Sequence, residues 1–354
     1  MLRTFGYCAA SLSIVPSTAS SLISTRHCFI VTPKARYQAM SSQSKEDRVI
    51  DAKRKAAQAA VDEHFPQKPR YVGIGSGSTV VYVVEAISKL PLSRTENCTF
   101  IPTGFQSRQL ITNAGLKLGS IDSLMPPHII EEYGGHGIGG SGRRASHHEE
   151  VESRGVGTLL DVAFDGADEV DEDLNCIKGG GGCLFQEKLV ATSALKFVCV
   201  ADYRKMSPRL LTNWRAIPIE IVPLSTPAIM RSLKRLGSIN PELRMGGASK
   251  AGPMITDNCN FIIDAPFKPL LTAKQVQNGE GDGQGHDGIW EVSALARKLK
   301  EQIGIVEVGL FWGQNGYEIE ADSIGGAQKP VAAYFGMEDG SVQTRKAEQG
   351  ASKV

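Results

Sequence analysis

The segment Asp165-Gly166-Ala167-Asp168-Glu169-Val170-Asp171 places four carboxylates in seven residues, directly behind an apolar run. Carboxylates crowded in this way repel one another, which raises at least one pKa and suits proton transfer or metal binding. Asp165 and Asp168 lie nearest the apolar run and are the candidates for chemistry, whereas Glu169 and Asp171 are expected to face water or cap the next element. Lys178-Gly179-Gly180-Gly181-Gly182 follows, and then Glu187-Lys188. Four successive glycines cost conformational entropy, and a turn that needs them admits a ligand or another backbone at close range. Lys178 supplies a fixed positive charge beside the acids. Glu187, roughly one and a half turns into an apolar helix, reads as a partly desolvated base. A surface ion pair is the ordinary alternative for each.

A third cluster, Gly75-Ser76-Gly77-Ser78-Thr79, stands between a short apolar strand and an apolar helix. Its glycines let backbone N–H groups approach an anion, the helix N-terminus adds partial positive charge, and three hydroxyls can donate. No lysine follows as in a P-loop, and as a dinucleotide fingerprint Gly73-x-Gly75-x-x-Ser78 lacks the third glycine. The plain alternative is a tight turn with a Ser/Thr cap. A phosphate anchor, paired carboxylates, a lysine and a glutamate base, with no obvious nucleophile or metal set, fit proton abstraction next to a carbonyl.

The elements that must hold these groups alternate. Glu46 to His64 is an amphipathic helix, Tyr71 to Ile74 a strand, Val80 to Leu90 a helix, Cys98 to Pro102 a strand and Ser107 to Ala114 a helix with a Ser cap. Leu159 to Phe164 is a strand ending at Asp165, Leu184 to Leu195 a helix and Phe197 to Ala201 a strand. Strands alternating with helices imply βαβ units and a parallel sheet, in which ligands bind outside the carboxyl ends of the strands. The pattern then changes. Strand-like Ile217 to Val222, Glu242 to Met245, Phe261 to Ala265 and Ile305 to Leu310 enclose helices at Pro227 to Leu236 and Ile289 to Gln302, which suggests a smaller α+β unit. Val331 to Phe335 returns as a last strand of the first unit.

The expected organisation is a leader over 1–45, a catalytic α/β domain over 46–210 plus 313–342, a smaller α+β domain over 211–312, and a flexible tail over 343–354. The leader has no Asp or Glu and is rich in Ser, Thr and Ala, so it reads as a transit-like extension or as a disordered stretch ahead of an internal start at Met40. Loops 125–157 and 277–288 combine glycine and charge without apolar periodicity and are expected to be mobile. His136, His147 and His148 in the first of them complete no ligand set, so no metal is expected. A net charge of +1 over 354 residues excludes a nucleic-acid coat, and apolar runs stop well short of the ~20 residues of a membrane span. Seven scattered cysteines without a CxxC pair fit free thiols in a reducing compartment.

At these residues the chain resembles the type A ribose-5-phosphate isomerase family, from about Asp47 to Val342. The resemblance rests on GIGSGST at 73–79, DGADEVD at 165–171, KGGGGCLFQEK at 178–188, DYRK at 202–205 and GPMITDNCNFIID at 252–264. It implies an α/β fold, with an open, mostly parallel Rossmann-like sheet domain and a second, smaller α+β (ferredoxin-like) domain. It also implies an aldose-ketose isomerase interconverting D-ribose 5-phosphate and D-ribulose 5-phosphate through an enediolate, in the non-oxidative pentose phosphate pathway, with no metal or organic cofactor. By position, Glu187 moves the proton between C1 and C2, Asp165 and Lys178 assist ring opening and steady the oxyanion, and Asp168 handles hydroxyl protons. Ser76, Gly77, Ser78 and Thr79 face the phosphate with Lys205 as a further cation, and Gly179, Gly180, Gly181 and Gly182 offer N–H groups to the oxyanion. Family members are homodimers or homotetramers, and a cytoplasmic homo-oligomer acting on a small sugar phosphate is expected, organelle targeting by the leader being the alternative. Ser76 stands where many members have Thr, Cys259 where the TDNxN motif usually has Gly, and the insert where relatives have a short connection.

Three competing classes follow from related folds. A non-catalytic sugar-phosphate sensor of the regulator kind needs an added helix-turn-helix module and a basic face, for which the short Ser/Thr-rich leader leaves no room; a coenzyme A transferase needs a glutamate nucleophile, and a dinucleotide-dependent oxidoreductase needs the missing third glycine.

Overall fold

The computed structural model describes residues 45–124, 159–248, 250–319 and 327–348. The leader up to residue 44, the 125–157 insert with its histidines and the chain beyond 348 lie outside the described residues. Helix α1 (Lys45–His64) carries Glu46 and Asp47 in its first turn, where carboxylates complement the helix dipole. Ala52, Ala56, Ala57 and Ala60 form its fully buried stripe. Such small residues let the helix lie directly on the sheet, and a side chain at Gly336 would collide with the Ala52 backbone.

From α1 the chain runs through β1 (Tyr71–Ile74), α2 (Val80–Ser88), β2 (Thr99–Pro102), α3 (Phe105–Asn113), β3 (Val162–Asp165), β4 (Glu169–Val170) and β5 (Cys176–Ile177). It continues through α4 (Leu184–Thr192), β6 (Phe197–Asp202), β7 (Ile217–Ile221), α5 (Thr226–Arg235), β8 (Glu242–Leu243) and β9 (Phe261–Ala265). The last elements are α6 (Val292–Lys300), β10 (Ile305–Val308), β11 (Leu310–Phe311), β12 (Ala332–Gly336) and β13 (Val342–Lys346), with single helical turns at Leu92–Thr95 and Ala273–Gln277.

The main sheet has the order β13-β12-β6-β3-β1-β2, with every pair parallel except β12 and β13. Its central strands read as unbroken apolar runs because both faces are covered: β3 and β6 are buried throughout. From β1 the sheet extends to β2 on one side and to β3 on the other. That change of direction opens a crevice at the strand ends, where ligands lodge in open α/β sheets. A second sheet, β10-β7-β9-β8, is antiparallel, and with α5 and α6 it forms the ferredoxin-like βαββαβ order, over a core of Ile217, Ile219, Ile263, Leu295 and neighbours.

Four readings change. Residues 343–346, read as tail, pair with β12 as the antiparallel edge strand β13; all four are polar or charged, as suits an edge facing water. Ser107 does not cap α3: Gly104 does, and Ser107 Oγ at the third position accepts the N–H groups of Thr103 and Gly104 at 3.0 and 3.1 Å. Loop 277–288 is folded into turns, with Gly279, Gly281, Gly283, Gly285 and Gly288 all at positive φ and Glu291 N–H bonded to Gly283 O. Its glycines supply left-handed turn conformations rather than slack. A small third sheet, β11-β5-β4, has no counterpart in the sequence reading, since strands of two residues carry no periodicity.

Candidate active site

The carboxyl ends of β1, β3 and β6 frame one cavity of about 270 Å³. Ser76, Gly77, Ser78, Thr79, Asp168, Lys178, Gly179, Gly180, Gly181, Glu187 and Lys205 all line it, so residues dispersed over 130 positions of chain converge on one cavity. The first wall is the β1–α2 loop. Gly77 has φ 107°, which frees the turn to present α2 end-on. Thr79 occupies the N-cap position of α2 without a side-chain cap bond. Ser78 and Thr79 N–H groups have no partner among the described residues. Donors and hydroxyls at the positive end of a helix form an anion cradle.

Two lysines border the cradle. Lys205 lies in the turn after β6, its Nζ 4.7 Å above the Trp214 ring, and that stacking fixes a long flexible side chain. Lys53, from α1, is buried and donates to Ser78 Oγ over 3.1 Å, and it pairs with Asp202 at 3.3 Å. Asp202 is bonded to Arg204 at 2.7 and 2.8 Å. Burial alone would raise the Asp202 pKa, but Arg204 and Lys53 outweigh it and hold the carboxylate below its usual range.

Opposite the cradle sits a buried charge array. Lys178 Nζ lies 2.8 Å from Asp165 Oδ2 and 3.7 Å from Glu187 Oε2, and it donates to Gly166 O over 2.6 Å. Asp165 Oδ1 accepts the N–H groups of Ser76 and Gly166 at 3.0 and 2.7 Å. Glu187 Oε1 accepts the Ser76 hydroxyl at 3.1 Å, while Oε2 accepts no hydrogen bond. Burial raises the Glu187 carboxyl to about 7, Lys178 opposing and the neighbouring Asp165 and Asp168 adding to it. Burial raises Asp165 as well, against Lys178 and the two amides. For Lys178 burial acts downward, but Asp165 and Glu187 overcome it and keep the ammonium charged. The array therefore contains a fixed cation and a carboxyl able to take or give a proton near neutrality. Backbone economy brings these groups together: Gly75 has no room for a Cβ because the Asp165 carboxylate occupies that space.

The remaining candidates fall on both sides of expectation. Asp168 Oδ2 accepts Gly180 N–H at 2.7 Å, and a Cβ on Gly180 would crowd that carboxylate, so the glycine run serves Asp168 as well as the cavity. Asp165 stands behind Lys178 and does not line the cavity. Gly182 also lies off the cavity: at φ 89° it closes the turn through N–H to Gly179 O (3.0 Å), and its missing side chain faces Met254. Glu169 and Asp171 do not face water. Both are fully buried; Glu169 accepts N–H groups of Leu211, Thr212 and Asn213 and the Ser207 hydroxyl, and Asp171 accepts those of Asp173 and Asn175. These two acids tie loops rather than hold ligand. Among the described residues no group of His, Cys, Asp and Glu forms a metal-binding cluster.

Sequence reasoning missed Lys53, Gln106 and Asp202. Gln106 lines the cavity and accepts Gly77 N–H at 2.9 Å. The signal for Lys53 is a lysine three and four residues before Ala56 and Ala57, on the buried face of an amphipathic helix.

An anion cradle at the switch of an open parallel sheet, facing a buried lysine held between two carboxylates, defines an α/β enzyme of proton transfer on small phosphorylated ligands. Residues 144–321 match the family model of ribose 5-phosphate isomerase A (phosphoriboisomerase A). The chain is 46% identical over 305 residues to the ribose-5-phosphate isomerase of Candida albicans, covering 86% of this chain and 98% of that one. It is 43% identical over 297 residues to that of Schizosaccharomyces pombe, covering 84% and 83%. Ribose 5-phosphate isomerase A from Methanocaldococcus jannaschii superposes with a TM-score of 0.58 at 27% identity, over 84% of this chain and 99% of that one. A D-ribose-5-phosphate isomerase in complex with phospho-erythronic acid gives 0.59 at 27%, with the same two coverages of 84% and 99%. The chain belongs to the ribose-5-phosphate isomerase A family.

Proposed function

We propose that the chain interconverts D-ribose 5-phosphate and D-ribulose 5-phosphate, with Glu187 as the base at carbon. The observation that supports this most strongly is the Ser76–Glu187–Lys178–Asp165 array facing the anion cradle. The phosphate lies against Ser78, Thr79 and the α2 N-terminus, with Lys205 and Lys53 balancing its charge. Glu187 takes the C2 proton of the open-chain aldose, the C–H electrons form the C1–C2 double bond, and O1 becomes the enediolate oxygen. The O2 hydroxyl proton passes to O1, and Glu187 returns its own proton to C1. Lys178 steadies the oxyanion, with Asp165 acting through it, and Asp168 relays hydroxyl protons and, with Lys178, assists ring opening. A preorganised cation at a developing oxyanion is worth several kcal/mol, on the order of 3.

A sensor needs only the cradle. A buried carboxylate aimed at a phosphorylated ligand weakens binding and repays its desolvation only in proton transfer, which favours the enzyme. Full-length protein, treated with a chelator and given ribose 5-phosphate, is expected to form ribulose 5-phosphate and to be inhibited competitively by phospho-erythronic acid. Binding without turnover would restore the sensor. The finer reading is a cytoplasmic homo-oligomer, dimer or tetramer. Free Cys98, Cys176, Cys183, Cys199 and Cys259 support a reducing compartment, no described helix is long and apolar enough to cross a membrane, and light scattering tests the assembly.

A further inference from the structure

Lys188 follows Glu187 on α4, and none of the proposed steps uses it. Its side chain is buried, 7% exposed, and its ammonium donates to Val308 O and Leu310 O at 2.7 Å each and to Glu307 Oε1 at 3.0 Å. The two carbonyls bracket Gly309, where the chain leaves β10 for β11. Gly309 O accepts the main-chain N–H of Lys178 at 2.9 Å, and Gly309 N–H donates to Pro218 O at 2.7 Å. A side chain at Gly309 would collide with the carbonyls of Lys178 and Pro218, so the bracketed residue must be this close to Lys178. Both ammonium groups also lie over the Phe311 ring, Lys178 Nζ at 5.5 Å and Lys188 Nζ at 4.9 Å from its centre.

We propose that Lys188 is a positioning residue that sets the spacing between Glu187 and Lys178, by pinning α4 to the 308–311 segment from which the Lys178 main chain hangs. This rests on the isomerase reading above. An apolar side chain would fill the same space without the cost of burying an ammonium ion. A lysine instead spends three directional bonds, which fix both the rotation of α4 about its axis and the path of residues 308–310. Glu187 sits one residue away on that helix, and Lys178 one hydrogen bond away from that path. The charged groups around Lys188 are Glu307 and, beyond it, Lys300, which pairs with Glu307 Oε2 at 3.0 Å. Those around Glu187 are Lys178, Asp165 and Asp168. The two environments are separate, so a change at Lys188 reaches Glu187 through geometry rather than through direct charge.

The test is Lys188→Met in the full chain, with folding checked by circular dichroism. Misplacing a reacting group by about an ångström costs on the order of 100-fold, so kcat for ribose 5-phosphate is expected to fall roughly 10- to 100-fold, with KM within about two-fold, since the cradle is untouched. The acid limb of the kcat/KM profile is expected to move to higher pH as Lys178 draws away from Glu187. Lys188→Gln, which keeps an N–H donor for one carbonyl, should recover part of kcat. A folded Lys188→Met protein with wild-type kcat and acid limb overturns the proposal. So does unfolding of both variants, which would make Lys188 a brace of the whole chain rather than of the site. Failure of the wild type to isomerise ribose 5-phosphate would instead overturn the functional reading, and this one with it.

Discussion

Ser76 Oγ donates to Glu187 Oε1 over 3.1 Å, so the loop that frames the anion cradle also holds the proposed base, and the Ser76 N–H holds Asp165 over 3.0 Å. A hydrogen bond to a charged group is worth about 1.5–3 kcal/mol, and about 1.4 kcal/mol is ten-fold in rate. Ser76→Ala is therefore expected to lower kcat about ten-fold, and Ser76→Thr, which keeps the hydroxyl, to stay near wild type. Steady-state kinetics check this; an effect on KM alone would return Ser76 to the phosphate.

The pH dependence follows from Glu187, which burial raises to about 7. As the proposed base it must be ionised, so kcat/KM is expected to fall as pH drops through about 7, approaching ten-fold per unit below it. Stability runs the other way. A carboxyl raised in the folded state favours folding while protonated, an advantage fully present below its unfolded value near 4.5 and lost as pH rises through about 7. Glu187→Gln, always neutral, should therefore raise Tm over wild type more at pH 8 than at pH 5, which thermal scans at the two pH values check.

Lys205 lines the cavity and is fixed over Trp214. Lys205→Ala is expected to raise KM about ten-fold with a smaller change in kcat, as for a charge felt equally by ground and transition states. A loss confined to kcat would contradict a phosphate role.

Cys259, which stands where the TDNxN segment usually has Gly, has φ 62°, the left-handed conformation that favours glycine. A side chain there costs roughly 1–2 kcal/mol. Cys259→Gly is expected to stabilise the protein by about 1 kcal/mol, a rise in Tm of about 2–4 °C, whereas Cys259→Ala keeps the strain and should gain nothing. Calorimetry of both variants separates the two.

Legibility followed locality. The βαβ alternation and three of the clusters at strand ends were readable because each is a contiguous string with its own periodicity or glycine content, as at 73–79 and 178–188. Within a string, nearness to the strand end separated Asp168, which reaches the cavity, from Glu169, but not what Glu169 does instead: its burial against 211–213 is made by distant backbone. Lys53 joins the site from a helix far upstream. The β11-β5-β4 sheet and the β13 edge depend on pairing partners rather than on pattern. Glu220 shows the same limit: a carboxylate inside an apolar strand, it is bound by Thr256, Asn258 and Asn260, and so explains the polar residues of the TDNxN segment only once the two are seen together.

Glu187 is proposed to carry the proton between C1 and C2. Exchange of the C2 hydrogen of ribose 5-phosphate with solvent, followed by NMR in deuterated buffer, tests it most directly when wild type and Glu187→Gln are compared, with phospho-erythronic acid binding measured alongside. Exchange and isomerisation are expected to vanish in the variant, with binding retained. A variant that still exchanges the C2 hydrogen and turns over ribose 5-phosphate would show that another group is the base.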